Sequence, residues 1–236
     1  MKTSKIILLS LHISIALFIL AAFVDIRLTG KKPIDLTELE SHKTAIPEFR
    51  VLIIKNSVSL NILSKSNPSM ELNMRTGVVP PEIKYSVSND TLTISDVPQR
   101  YNDELLIFNV HVTDTLYSII AENSDITVRS GENCDISIEA DSSKIFISHT
   151  TTSKSDDNLI IHARNNSKIR TSTFRIDSLG VFIERSEASL SIQSNVLHGA
   201  ASCGSMISTR QPLKISFLCD STSKFLINNG IYLYKE

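Results

Sequence analysis

Leu116 to Ile147 reads LYSIIAENSDITVRSGENCDISIEADSSKIFI, and three times within it a small polar residue and its neighbour introduce a triplet with apolar ends. Ser124 and Asp125 precede Ile126-Thr127-Val128, Cys134 and Asp135 precede Ile136-Ser137-Ile138, and Ser143 and Lys144 precede Ile145-Phe146-Ile147. The triplets start at positions 126, 136 and 145, steps of 10 and 9 residues. Alternation with period two sends the outer residues of a triplet to one face of a strand and the middle residue to the other. Strands this short are unstable alone, so they must stack.

Working outward, the pattern continues to both ends of the chain. Towards the N-terminus, strands are predicted at Phe49 to Ile54, Val58 to Ile62, Met70 to Met74, Ile83 to Val87, Thr91 to Ile94 and Leu105 to Val112. Val78-Val79-Pro80-Pro81 separates two of them, because proline cannot donate to a ladder. Towards the C-terminus, Thr150 to Asn158 is a polar excursion. Triplets then recur at Leu159-Ile160-Ile161, Ile169-Arg170-Thr171, Val181-Phe182-Ile183, Leu190-Ser191-Ile192, Leu213-Lys214-Ile215 and Phe225-Leu226-Ile227. No helical period competes there.

Two all-β architectures suit this pattern. A sandwich needs longer strands joined by hairpins, and Asn229-Gly230 is the only Asn-Gly or Asp-Gly dipeptide. A parallel β-helix, or β-solenoid, needs short strands, tight polar corners and inward Ile, Val and Leu that stack from one coil to the next. The second half of the chain matches the solenoid better, with Phe49 to Ile94 capping one end and Tyr232, Tyr234 and Lys235 closing the other.

Ahead of this body, residues 1–5 form a short basic N-terminus, and Ile6 to Val24 are 19 positions without a formally charged residue. A helix of that length spans ~28 Å, enough for a bilayer core. The run is longer than the apolar region of a cleaved signal and lacks a good cleavage site. Residues 6–24 are therefore read as a transmembrane anchor in preference to a signal peptide. A single-pass protein is expected, with the C-terminal domain periplasmic or extracellular. His12, inside the span, is read as neutral. Residues 25–47 read as a tether with one helical turn near Leu36 to Glu40, and residues 48–236 as the folded domain.

Composition narrows function. With 42% hydrophobic and 21% charged residues the chain is neither disordered nor of low complexity. Lys plus Arg is 24 against 25 for Asp plus Glu, with no basic cluster in the body, so no nucleic acid partner is expected. The absence of Trp and an aromatic content of 6% disfavour stacked aromatic platforms. Cys134, Cys203 and Cys219 form no CxxC pair, which excludes a zinc ribbon. They are read as small buried residues, a Cys203–Cys219 disulfide remaining open.

The segments FRVLIIKNSVSLNILSKSN (49–67), YSVSNDTLTIS (85–95) and LLIFNVHVTDTLYSIIAENSDITV (105–128) together resemble the auto-transporter adhesin head GIN domain family of Bacteroidetes envelope proteins. The first resembles its Phe-led strand, turn and alternating strand. The second resembles its strand, turn and Thr-Leu-x-Ile element, and the third its entry into the repeat. The resemblance runs from Phe49 to the C-terminus and implies a right-handed parallel β-helix with a β-rich N-terminal cap and an adhesin role. Two departures stand out. The family's corners are glycine-rich, whereas this chain has 7 Gly and places Ser, Asn and Asp there. Asn and Asp tolerate the left-handed region better than other side chains. The longer apolar run also replaces the family's usual secretory signal.

No residue pattern announces catalysis. No GxSxG, P-loop or dinucleotide fingerprint occurs, and His42, His111, His149, His162 and His198 show no helix-spaced ligand pair. His149 and His162 are close enough in sequence to meet on neighbouring coils, Asp156-Asp157 offers paired carboxylates, and Cys203 lies in the small-residue segment Gly199 to Gly204. Each reads more simply as a solvated or corner residue. Asp125, Asp135, Asp141 and Asp177 likewise read as turn residues. No catalytic, cofactor or metal residue is assigned. The expected function is that of a non-enzymatic, membrane-anchored adhesion or scaffold protein whose partner is a glycan or an envelope protein. The alternative is a polysaccharide-active hydrolase or lyase on the same scaffold, which needs two acidic side chains facing one groove.

Overall fold

The period-two alternation forms strands wherever the sequence repeats it. A computed structural model describes residues 14–21, 39–56, 59–96, 100–101, 104–105, 107–113, 116–130, 135–149, 157–210, 212–227 and 230–231. Helix α1 covers 14–21. The strands of the N-terminal part are β1 (Leu39–Ala45), β2 (Val51–Ile54), β3 (Ser59–Ser64), β4 (Ser69–Arg75), β5 (Lys84–Ser88), β6 (Thr91–Asp96), β7 (Arg100–Tyr101), β8 (Glu104–Leu105) and β9 (Ile107–Val112). The repeat region contributes β10 (Ser118–Glu122), β11 (Asp125–Ser130), β12 (Ile136–Asp141), β13 (Lys144–His149), β14 (Asn158–Arg164), β15 (Lys168–Thr171) and β16 (Arg175–Glu184). It continues with β17 (Glu187–Leu190), β18 (Gln193–Ser202), β19 (Met206–Thr209), β20 (Lys214–Cys219), β21 (Lys224–Ile227) and β22 (Gly230–Ile231).

Among the described residues these strands form an 11-stranded sheet, a 9-stranded sheet and the small β7–β8 pair. From β10 onward the chain alternates between the two long sheets. The even strands β10, β12, β14, β16, β18 and β20 lie side by side in the 9-stranded sheet, and the odd strands β11, β13, β15, β17, β19 and β21 in the 11-stranded one. Every one of these neighbours is parallel. Successive triplets therefore never pair. From Ile126 to Leu159 each pairs with the next but one, so the Ile126 triplet sits beside that of Ile145 and not beside that of Ile136.

In-register pairing stacks like on like. Ile138 lies beside Ile161 and Ile161 beside Val181, while Ile145 has Ile169 beside it. These inward residues of both sheets are at most 2% exposed and belong to one hydrophobic core. A fully buried Ile or Val contributes roughly 1.5–3 kcal/mol. Antiparallel pairs flank the parallel run: β4 lies between β1 and β9 and β6 pairs with β5 at the N-terminal end, and β21 pairs with β22 at the other. The region from Phe49 to Ile94 thus occupies one end of both sheets, as expected. Tyr232, Tyr234 and Lys235 lie outside the described residues.

A serine ladder holds the corners together. The backbone N–H of Ser124 donates to Ser143 Oγ (3.0 Å), that of Ser143 to Ser167 Oγ (3.1 Å), and that of Ser167 to Ser186 Oγ (3.2 Å). Ser186 N–H continues to Ser205 Oγ (3.2 Å) and Ser205 N–H to Ser223 Oγ (3.1 Å). Each hydroxyl from Ser124 to Ser205 then donates to a carbonyl two or three residues back in its own corner. The residue before each of these serines has positive φ: Asn123, Ser142, Asn166, Arg185 and Gly204. The left-handed turn swings the chain from one sheet to the other, and the serine satisfies the donors so exposed.

Several expectations are corrected. Among the described residues no helix is long and apolar enough to cross a membrane. The described helical residues, 14–21, account for ~12 Å of rise, against a hydrocarbon core of ~30 Å. This overturns the single-pass anchor over residues 6–24 and the membrane-anchored localisation that followed from it. Residues 6–13, with His12, and 22–24 lie outside the described residues. The chain divides into two compact units, Met1–Glu38 and Leu39–Glu236. Residues 39–45, expected within the tether, are strand β1, paired antiparallel with β4; Leu36 to Glu38 are not described. Polar, exposed residues such as Glu40 and Lys43 suit β1 to its position at the sheet edge. In the Leu190 triplet the strand is β17, which ends at Leu190, while the buried Ile192 falls in the following turn. Leu213 precedes β20 and is 82% exposed.

Candidate functional site

Outward side chains of the 9-stranded sheet frame an open groove of about 390 Å³ that runs across β10, β12, β14, β16 and β18. Parallel register builds its two walls as rows. One row is Ile120, Glu139, His162, Phe182 and Ala200, each in register with the next. The other contains Glu122, Asp141 and Arg164 in register, then Glu184 beside Ser202. Ala121, Ala140 and Ala163 lie between the rows and also line the groove. The second row adjoins the corner ladder, since Glu122, Asp141 and Glu184 each come immediately before a left-handed corner residue. The serine hydrogen bonds thus fix where this wall stands.

In the first row the His162 and Phe182 rings stack at 4.9 Å with an interplanar angle of 9°. His198 meets Phe182 edge-on at 6.0 Å and 71°. Gly180 makes room for that imidazole, for a Cβ there would stand 3.0 Å from His198 Nε2. In the second row Lys55 pairs with Glu122 at 3.3 Å, and Arg164 Nε donates to Asp141 Oδ2 at 2.7 Å. Asn165 and Ser142 donate to the other Asp141 oxygen at 2.8 and 3.1 Å. The Asn165 hydrogen bond is the main cause of an Asp141 pKa held below the ordinary carboxylate value, with Arg164 and Ser142 adding to it. Arg185 lies 3.4 Å from Glu184. The Glu139 carboxylate, between Ile120 and His162, makes no hydrogen bond or ion pair among the described residues.

A second polar cluster lies in the N-terminal part. His111, 1% exposed, donates from Nε2 to Glu71 Oε2 at 2.6 Å, and Ser41 Oγ donates to Glu71 Oε1 at 2.7 Å. The serine hydroxyl is bonded to the carboxylate and not to the imidazole, so it has no base to activate it. The cluster closes the cap. Its imidazole hydrogen bond is the largest influence holding Glu71 below the ordinary value of 4.5.

Two solved structures share the architecture that carries the groove. A candidate adhesin from Bacteroides fragilis superposes with a TM-score of 0.52 at 13% identity, over 84% of this chain and 100% of its own. A candidate adhesin from Parabacteroides merdae gives 0.51 at 12% identity, over 80% of this chain and 96% of its own. The chain has the fold of these Bacteroidetes adhesin candidates. No family model and no curated protein matches the sequence. The likeness therefore extends to fold alone, and the head GIN name remains a sequence resemblance.

Within this adhesin-like fold the sequence candidates disperse. His149 ends β13 in one sheet, its ring 5.6 Å from that of Phe174, while His162 stands in the other sheet against Phe182. The two do not meet. Asp157 is buried at 7%, and its carbonyl accepts from the Asp177 and Ser178 N–H groups; Asp156 and Cys134 lie outside the described residues. Cys203 and Cys219 are both free thiols. Cys203 is an exposed left-handed corner residue (φ 58°) whose N–H donates to Asp220 Oδ2 at 2.7 Å. Asp135, Asp141 and Asp177 accept hydrogen bonds from Asn158, Asn165 and Asn195 of the following circuit, and Asp141 and Asp177 lie in β12 and β16 and not in turns as expected. Among the described residues no group of three or more His, Cys, Asp and Glu side chains is placed to hold a metal ion.

Of the groove residues only His162 and Asp141 stood out in the sequence, neither as part of a groove. Low aromatic content pointed away from any ring platform, yet register sets Phe182 directly on His162. The signal was present in part: Phe182 is the middle, outward member of its triplet.

Proposed function

We propose that this protein is a non-enzymatic adhesion or scaffold protein that holds a glycan or envelope partner on the outer face of a right-handed parallel β-helix. The pairing of every second strand in parallel supports the β-helix, and nearly all parallel crossovers take the right hand. The groove across five strands carries the functional reading. Its walls are rows of side chains fixed by register, a pre-organised surface that loses little entropy on binding. The fold shared with adhesin candidates is in keeping with it.

The enzymatic alternative has one observation in its favour, since Glu122 and Asp141 face the groove from adjacent strands in register. A glycoside hydrolase needs one of its carboxyls held protonated as general acid. Asp141 is shifted the opposite way, by hydrogen bonds it receives from Asn165, Arg164 and Ser142. The purified chain is expected to bind envelope fragments of a Bacteroidetes cell while releasing no reducing ends from a polysaccharide panel. Release of reducing ends that Asp141→Asn abolishes would replace binding with catalysis. Failure to retain any envelope component would remove the adhesion reading.

A further inference from the structure

We infer that the groove holds an unbranched glycan without acidic groups, one sugar ring lying between Phe182 and Leu218. The inference rests on the binding reading above and narrows it to a site and a ligand class.

Charge supplies the first step. Glu122, Glu139, Asp141 and Glu184 line the groove, and Lys55, Arg164 and Arg185 each pair with one of them, which leaves Glu139 as the uncompensated charge. A phosphate, sulfate or uronate chain would enter a field of its own sign. Polyanions, nucleic acid included, are disfavoured.

Ring geometry supplies the second. One face of Phe182 is taken by His162, and His198 of β18 meets the ring edge-on at 6.0 Å, so the slot on that side lies over the in-register neighbour Ala200. Beyond Ala200 the row resumes with Leu218, 67% exposed. Phe182 and Leu218 thus stand two strand spacings apart, ~9.6 Å, over a residue whose side chain ends at Cβ. A single six-membered ring fits in van der Waals contact with both. The C–H face of a sugar ring is electropositive and suits the negative face of the phenyl group.

The remaining polar groups suit hydroxyls. The Glu139 carboxylate has no partner among the described residues, and Glu184, bonded to Arg185 through Oε1 at 3.4 Å, keeps its second oxygen, so each has lone pairs for O–H donors on a ligand.

Spacing separates a glycan from a peptide. Row members recur every ~4.8 Å, whereas an extended peptide presents same-side residues every ~6.6–6.8 Å and falls out of step. A pyranose stacked against Phe182 carries its glycosidic bonds in the plane of its own ring, across the row, and so needs no repeat in step with it.

Calorimetric titration of the full chain tests this with neutral hexasaccharides of glucose, mannose and N-acetylglucosamine, with polygalacturonate, and with a Lys-rich decapeptide. At least one neutral hexasaccharide is expected to bind, with little change up to about 0.5 M salt. Phe182→Ala and Ala200→Phe, which fills the slot, are each expected to weaken it about tenfold. Glu139→Gln, an exposed near-isosteric change that leaves the fold intact, is expected to weaken it severalfold. The inference is overturned if no neutral hexasaccharide binds, if all three variants bind as well as the parent, or if polygalacturonate or the peptide is preferred. Wild-type retention of envelope fragments in any of those cases leaves the binding reading standing. Loss of that retention as well removes both.

Discussion

The backbone N–H of Ser143 donates to the hydroxyl of Ser167 at 3.1 Å, although the two residues are 24 apart in sequence. Ser167 is fully buried, Ser143 is 1% exposed, and the Ser167 hydroxyl donates onward to Arg164 O at 2.6 Å. One side chain therefore closes its own corner and ties it to the corner below. Replacing Ser167 with Ala leaves a buried N–H and a buried carbonyl each without this bond. We expect a loss of about 1–3 kcal/mol in urea unfolding, against a few tenths for the exposed corner residue Ser142→Ala. Equal effects at the two positions would show that the ladder contributes no particular stability.

Gly199 lies in β18 with φ +146°, and a Cβ there would stand 1.8 Å from Val181 O. That atom is backbone and has no room to move. Gly199→Ala is expected to destabilise by roughly 3 kcal/mol or more, through both the collision and the disfavoured φ. Gly180→Ala meets only the mobile imidazole of His198 and should cost much less while displacing that ring from Phe182. Thermal melts of the two variants give the order, and near-equal melting temperatures would contradict it.

Acid sensitivity of the cap follows from Glu71. The His111 hydrogen bond, opposed in part by desolvation, keeps its carboxyl below the ordinary 4.5 in the folded chain. A group whose folded value is depressed adds stability above its unfolded value and loses it as pH falls through the folded one. The stability gap between the parent and Glu71→Gln should be widest near neutral pH and shrink below about pH 4.5. A gap that is flat from pH 7 to pH 3 would rule out this linkage.

The thiols should differ in reactivity. Cys203 is exposed at its corner, whereas Cys219 is partly buried, and burial together with the Asp220 charge pushes its thiol up. In a Cys134→Ser background, iodoacetamide at pH 8 is expected to label Cys203 first. Reducing agent should leave the melting temperature unchanged, because no bond joins the two. Slower labelling of Cys203, or a melting temperature that drops on reduction, would be inconsistent with the described geometry.

The alternation in the sequence determined more of this architecture than its weak resemblance to other chains. Outer and middle positions of a triplet project to opposite faces of any strand, so the burial of Ile126, Val128, Ile145 and Ile147 followed from local geometry alone. The polar corners were legible for a similar reason. Asn123, Asn165 and Asn166 adopt positive φ readily, and the chain puts them where its relatives in pattern put glycine. Arg185 in the same conformation has no such rationale in its side chain. The apolar run of residues 6–24 is legible as hydropathy, but among the described residues no helix is long and apolar enough to cross a membrane.

Which triplets become neighbours was decided only by the tertiary structure. The steps of 10 and 9 residues add to a full circuit of 19, the separation of Ser124 from Ser143, but the excursion before β14 stretches the next circuit to 24. No count along the chain could then bring Glu139 beside His162, or His162 beside Phe182. Strand period is a property of the local backbone and can be read from sequence. A groove wall is assembled from residues about twenty positions apart, and it exists only once the hydrogen bonds between circuits have set the register.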